Sequence, residues 1–61
     1  MQYHLGIDGG GTTTRAVIID ENMRELGRGE AGSSNHYSVG AARSVENIQQ
    51  AVAGALQSAN I

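Results

Sequence analysis

Three successive glycines, Gly9-Gly10-Gly11, stand between two stretches that both favour extended backbone, and they leave this chain few ways to fold. A glycine run weakens the interior of a helix or a strand, so it has to be a turn. Before it, Tyr3-His4-Leu5-Gly6-Ile7-Asp8 alternates, with Tyr3, Leu5 and Ile7 on one side, as a strand does. After it, Thr12 to Asp20 is rich in β-branched residues and predicts a second strand. The unbroken apolar stretch at its centre, Ala16 to Ile19, predicts cover on both faces. The start of the chain is therefore strand, turn, strand.

Asp20-Glu21-Asn22-Met23 reads as a polar turn, with Asn22 the residue best able to take a left-handed conformation. Arg24 to Ala31 predicts a third strand, solvated on its charged face and placed at an edge by Gly27 and Gly29. Gly32 to Tyr37 reads as a loop. From about Gly40 to Ala59 the apolar period changes from two to 3.6. Val45, Ile48, Val52, Ala55 or Leu56, and Ala59 then form one helical stripe, with Arg43, Glu46, Asn47, Gln50 and Gln57 off it. Gly54 predicts close packing inside that helix, and Asn60 suits its end. The expectation is α/β: a β-β-β-α meander with one helix laid on it.

Such a layout has little to bury. The chain has 61 residues, no Phe, no Trp and no Cys, and a chain of about 60 residues hides only roughly 60% of its unfolded surface. It is expected to be part of something larger. The formal charge is −2, Lys is absent, and Arg15, Arg24, Arg28 and Arg43 are dispersed, so the concentrated basic face that nucleic-acid binding needs is missing. No apolar run approaches the roughly 20 residues of a membrane span, and Met1 to Ile7 lacks the pattern of a secretory signal. A cytoplasmic protein with neither a nucleic acid nor a membrane as partner is the expectation.

The chemistry lies in Asp8-Gly9-Gly10-Gly11-Thr12-Thr13-Thr14. Glycine-rich turns bind phosphate because absent side chains let several backbone N–H groups converge on the same oxygens. A P-loop would need a lysine, and Thr14 occupies the third glycine position of a dinucleotide fingerprint. Both of those loops also open a helix, whereas this one opens a strand. The amides of Gly9, Gly10 and Gly11, with the hydroxyls of Thr12 and Thr13, are the candidate phosphate ligands. Asp8 would repel a phosphate directly and instead suits a hydrated Mg²⁺. The alternative is a hairpin that uses Asp-Gly for shape alone.

The segment Leu5-Gly6-Ile7-Asp8-Gly9-Gly10-Gly11-Thr12 and the apolar strand after it resemble the first phosphate motif of the sugar kinase/heat-shock/actin superfamily. The glycine triplet is most similar to the branch holding N-acetylglucosamine kinases, glucosamine kinases and BadF/BadG-type ATPases. Gly32-Ser33-Ser34-Asn35-His36 followed by Val39-Gly40, and the helix carrying Glu46-Asn47-Ile48 and Ala51-Val52, continue the resemblance. It implies that residues 1–61 are the N-terminal portion of a ribonuclease-H-like, actin-like ATPase domain. It also implies ATP and Mg²⁺ as cofactors, with Asp8 near the metal, Gly10, Gly11 and Thr12 on the phosphates, and Asn35 presented to an amino sugar. Many relatives carry a basic residue where Thr13 stands, which removes one charged phosphate contact. Asn35 read without the resemblance could equally shape its loop. His36 and His4 read as structural, and Arg15 as a sheet-face residue.

No catalytic base is identified in these residues. The resemblance implies that the base, a second phosphate turn and the adenosine pocket come from further sequence, the rest of the same chain, and that the isolated segment is inactive. It leaves room for a homodimer in the full-length form. The leading expectation is phosphorylation of N-acetylglucosamine or glucosamine. The alternatives are a BadF/BadG-type ATPase that activates a partner redox enzyme and a non-catalytic assembly module.

Overall fold

The computed structural model describes residues 2–61, with Ser38 described by its backbone alone. Three antiparallel strands, β1 (Tyr3–Gly9), β2 (Thr13–Asp20) and β3 (Glu25–Gly32), form a sheet in the order β1-β2-β3. A four-residue helix α1 (His36–Val39) and a long helix α2 (Ala41–Ala59) follow. Each predicted strand lies within a residue of its expected bounds. The loop expected to run through Tyr37 instead winds into α1, because the Asn35 side chain accepts a hydrogen bond from the Tyr37 N–H and caps it.

Register assigns the faces. Gly9 pairs with Thr14, Ile7 with Ala16, Leu5 with Ile18 and Tyr3 with Asp20, so these residues share one side of the sheet. On β2 that side is closed: Thr14, Ala16, Ile18 and Asp20 are all buried. Helix α2 closes it, lying over β3 and β2 and leaving Tyr3, Leu5 and Ile7 about half exposed. The opposite face of β2 is only partly covered at Val17 and Ile19, so the apolar run is not enclosed on both sides among the described residues.

The helix meets the sheet through its smallest residues. Ala51 and Ala55 are fully buried, Ser44 and Asn47 nearly so, whereas Val45 and Leu56 are exposed. The predicted stripe is thus rotated in part: Ala55, Val52 and Ala59 pack on the core as expected, Val45 and Leu56 do not, and Asn47, expected off the buried stripe, is on it. Glycines explain the rotation. A Cβ at Gly27 would stand 2.4 Å from the Ala59 nitrogen, and one at Gly29 would stand 2.1 Å from the Ala51 carbonyl oxygen. The helix backbone therefore rests on β3 itself, at a spacing that a Val or Leu on that helix face would prevent. Gly54 completes the approach, its Cβ position 3.3 Å from the Gly29 Cα. The glycines of β3 serve helix docking more than edge placement.

The β2–β3 turn follows a related correction. Met23, not Asn22, takes the left-handed conformation (φ 65°). The Asp20 carboxylate accepts from the N–H groups of Asn22 (2.8 Å) and Arg24 (3.0 Å), which fixes the turn and leaves the next residue to reverse the chain. A register shift at Ile18/Ile19 leaves Leu26 unpaired as a bulge on β3. At the far end of α2, Asn60 is left-handed and its N–H returns to the carbonyls of Gln57 and Leu56, as expected of a C-cap.

Candidate functional site

The site is the mouth of the β1–β2 hairpin and the loop after β3 that leans on it. Gly10 closes the hairpin, its N–H donating to the Thr13 carbonyl at 2.9 Å. The Gly10 carbonyl is also taken, by the Ser33 hydroxyl at 3.2 Å. Gly10 was expected to offer its amide to a phosphate; that amide is committed to the turn, because a hairpin this tight needs one cross-strand bond at its neck. The tip that remains is Gly11-Thr12. Neither residue's N–H meets a partner among the described residues, and both residues are exposed.

Backbone conformation does not explain the triplet. Gly40 is the one glycine with positive φ among the described residues, so none of Gly9, Gly10 and Gly11 needs glycine for a left-handed torsion. Gly9 answers to a neighbour: a Cβ there would lie 2.4 Å from the Ser34 hydroxyl. Gly11 answers to nothing in the protein. Its Cβ would point into open space. A bare position with no internal reason to be bare, beside two unpartnered amides, is what an anion's close approach to backbone requires.

Asp8 precedes the turn, on the sheet face away from α2, opposite Arg15. The two residues line a shallow groove with Gly6, Ile7 and Val17. Arg15 leans the other way, its Nε 3.6 Å from Glu30 on β3, with both side chains more than half exposed. Such a pair contributes little to stability. Asp8 makes no ion pair among the described residues, and its exposed carboxylate fits a cation that keeps most of its water. No group of three or more metal-ligating side chains occurs among the described residues. Thr13 is half-buried at the start of β2, where its carbonyl closes the turn.

The second lobe of the site is the Ser33-Ser34-Asn35 loop. Asn35 is exposed, and its Oδ1 is engaged by the Tyr37 N–H at 3.0 Å. That bond orients the amide group and leaves Nδ2 as a donor with no partner among the described residues. A buried polar cluster under the loop holds it to α2. Asn47 Nδ2 donates to the Ser33 carbonyl at 2.7 Å, and the Ser44 hydroxyl donates to the Ser34 carbonyl at 2.6 Å. Thr14, fully buried, has a hydroxyl without a hydrogen-bond partner among the described residues. His36 stacks at a tilt on Tyr37, ring centroids 4.2 Å apart, in keeping with its structural reading. The sequence pattern assigns Ser33 and Asn47 no part in the site. For Ser33 a signal existed, since a loop serine commonly binds the N–H two residues on.

The site is thus a β-hairpin whose tip amides have no partner among the described residues, tied by its neck to a polar loop. Comparison with known proteins gives the family. A model of the BadF/BadG/BcrA/BcrD ATPase family matches residues 5–61, and the chain belongs to that family. It is also similar to an N-acetyl-D-glucosamine kinase of Dictyostelium discoideum, with 53% identity over 39 residues. That stretch is 64% of this chain and 12% of the kinase's length. No helix among the described residues is long and apolar enough to cross a membrane.

Proposed function

We propose that this chain supplies the first phosphate-binding hairpin of an ATP-dependent kinase acting on an amino sugar, N-acetylglucosamine or glucosamine, within a ribonuclease-H-like, actin-like ATPase domain. The observation that carries the reading is the Gly11-Thr12 tip, where two unpartnered amides adjoin a glycine that nothing in the protein requires. The family and the kinase relative support the same direction.

The residues present fit the cofactors. The Gly11 and Thr12 N–H groups would hold the terminal phosphate oxygens, with the Thr12 hydroxyl as a further donor. Asp8 would face hydrated Mg²⁺ through one carboxylate. When bound, ATP supplies the transferable phosphoryl group and Mg²⁺ neutralises its charge. Asn35 would donate from Nδ2 to a sugar hydroxyl while its Oδ1 stays on the α1 cap. These residues bind and orient; positioning and electrostatics account for most of phosphoryl-transfer catalysis. No proton acceptor is assigned to these 61 residues, and the rest of the protein is expected to provide it.

The test is ADP release by the full-length protein with ATP, Mg²⁺ and a panel of sugars. The reading predicts release that depends on N-acetylglucosamine or glucosamine. Asn35→Asp keeps the cap acceptor but removes the donor, so it should raise the sugar KM by roughly tenfold or more, the weight of one lost hydrogen bond in a site built for it. ADP release indifferent to every sugar would contradict the proposal.

A further inference from the structure

The hydroxyl of Ser33 touches both halves of the site. It donates to the Gly10 carbonyl at 3.2 Å and accepts from the Asn35 N–H at 3.0 Å. The side chain is almost fully buried, and its own carbonyl is gripped by Asn47 at 2.7 Å. A hydroxyl has one hydrogen to donate, and this one is spent on Gly10.

The consequence follows from peptide geometry. The Gly10 carbonyl and the Gly11 N–H belong to one planar, trans peptide unit, so they point in opposite directions. Drawing the carbonyl inward onto Ser33 turns the Gly11 N–H outward. The Gly10 N–H, tied to Thr13, fixes the preceding peptide unit as well. The same oxygen positions the backbone of Asn35 two residues along. One buried hydroxyl therefore sets the direction of the amide at the hairpin tip and the place of the exposed Asn35.

We propose that Ser33 is a positioning residue that couples the two ligand sites: sugar at Asn35 and nucleotide phosphate at Gly11 strengthen each other's binding through its paired hydrogen bonds. This rests on the kinase reading above and adds a specific energetic link to it. A ligand that draws Asn35 into one position tightens the hydroxyl's hold on Gly10 and narrows the orientations of the Gly11 amide. A ligand on that amide acts in the reverse direction, because coupling between two binding sites is reciprocal.

The experiment uses the full-length protein with N-acetylglucosamine, glucosamine and the non-hydrolysable β,γ-imido analogue of ATP with Mg²⁺. Calorimetric titration gives the analogue's Kd with and without saturating sugar. Coupling of about fivefold or more is expected in the wild type, within the usual range for linked sites, and should fall below about twofold in Ser33→Ala. Ser33→Thr, which retains the hydroxyl, should recover it. A second measurement needs no variant: sugar alone should move the ¹⁵N–¹H resonance of Gly11 in the wild type. If both ligands bind, yet coupling survives Ser33→Ala or the Gly11 resonance ignores the sugar, the Ser33 link is overturned and the kinase reading stands. If neither sugar binds, or the analogue leaves Gly11 unmoved, both fall.

Discussion

Gly29→Ala should be among the most damaging single-methyl changes available to this fold. The added Cβ would lie 2.1 Å from the Ala51 carbonyl oxygen, 2.5 Å from the Ala55 nitrogen and 2.9 Å from the Gly54 carbonyl carbon. All three are backbone atoms of α2, so no side chain can turn aside. Restoring an ordinary contact of 3.4 Å means lifting the helix by about 1.3 Å. A gap of 0.5–1 Å already forfeits roughly a quarter to a half of each van der Waals contact along the interface. Overpacking a well-filled core typically costs about 1–3 kcal/mol, and a rigid backbone obstacle belongs at the upper end. A loss of about 3 kcal/mol is expected, on the order of a 100-fold fall in the folding equilibrium. Urea denaturation followed by far-ultraviolet circular dichroism measures it. Gly6→Ala is the control, since nothing lies within 4 Å of its Cβ position and its φ is not positive. There the change should be neutral or stabilising by about 0.5 kcal/mol. If Gly29→Ala and Gly6→Ala unfold at the same urea concentration, the docking argument is wrong.

Three further outcomes follow from the same geometry. Gly11→Ala should leave the unfolding midpoint nearly unchanged, because its methyl meets open space in the protein, yet weaken nucleotide binding about 10- to 150-fold, because the methyl keeps the anion from an N–H that is itself retained, at a cost of about one hydrogen bond to a charged group; calorimetry and denaturation on the same variant separate the two. Thr14→Val should stabilise the fold by about 1 kcal/mol, since it replaces a buried hydroxyl that has no partner among the described residues with a methyl of similar size, and a lower midpoint would refute this. Asp20 is held below its ordinary pKa, chiefly by the hydrogen bond from the Arg24 N–H; burial opposes this, and the hydrogen bond from the Asn22 N–H adds to the lowering. A depressed folded value means the contribution is fully present above the unfolded pKa of about 3.9 and is lost as the pH falls through the folded value. Urea midpoints between pH 5 and pH 2 should therefore drop less in Asp20→Asn than in the wild type, and parallel curves would be evidence against the assignment.

What could be read from sequence was whatever depends on neighbours along the chain. Alternation placed β1, β-branched residues placed β2, and the change of period at Gly40 located α2 with its Asn60 cap. The rotation of α2 escaped because it depends on contact across the chain. Hydrophobicity favoured Val45 and gave no choice between Ala55 and Leu56, whereas the glycines of β3 draw in Ala51, Ala55 and Ala59, with the small polar Ser44 and Asn47 buried alongside. Asn47 could be buried because the Ser33 carbonyl satisfies its amide, a partner fourteen residues away that no local pattern reveals. At the site, composition identified the bare turn but could not divide it. Which amide closes the hairpin and which is free depends on the Gly10–Thr13 bond, and the bond that orients Gly11 comes from the loop after β3.

In the proposed function the Gly11 and Thr12 amides receive the terminal phosphate oxygens of a nucleotide. Selective ¹⁵N labelling of glycine and threonine in the full-length protein, titrated with Mg²⁺ and the β,γ-imido analogue of ATP, addresses it directly. Large downfield shifts at Gly11 and Thr12, with Gly10 moving least because Thr13 already holds its N–H, are the predicted result. Saturation with the analogue while Gly11 and Thr12 keep their resonance positions would contradict it.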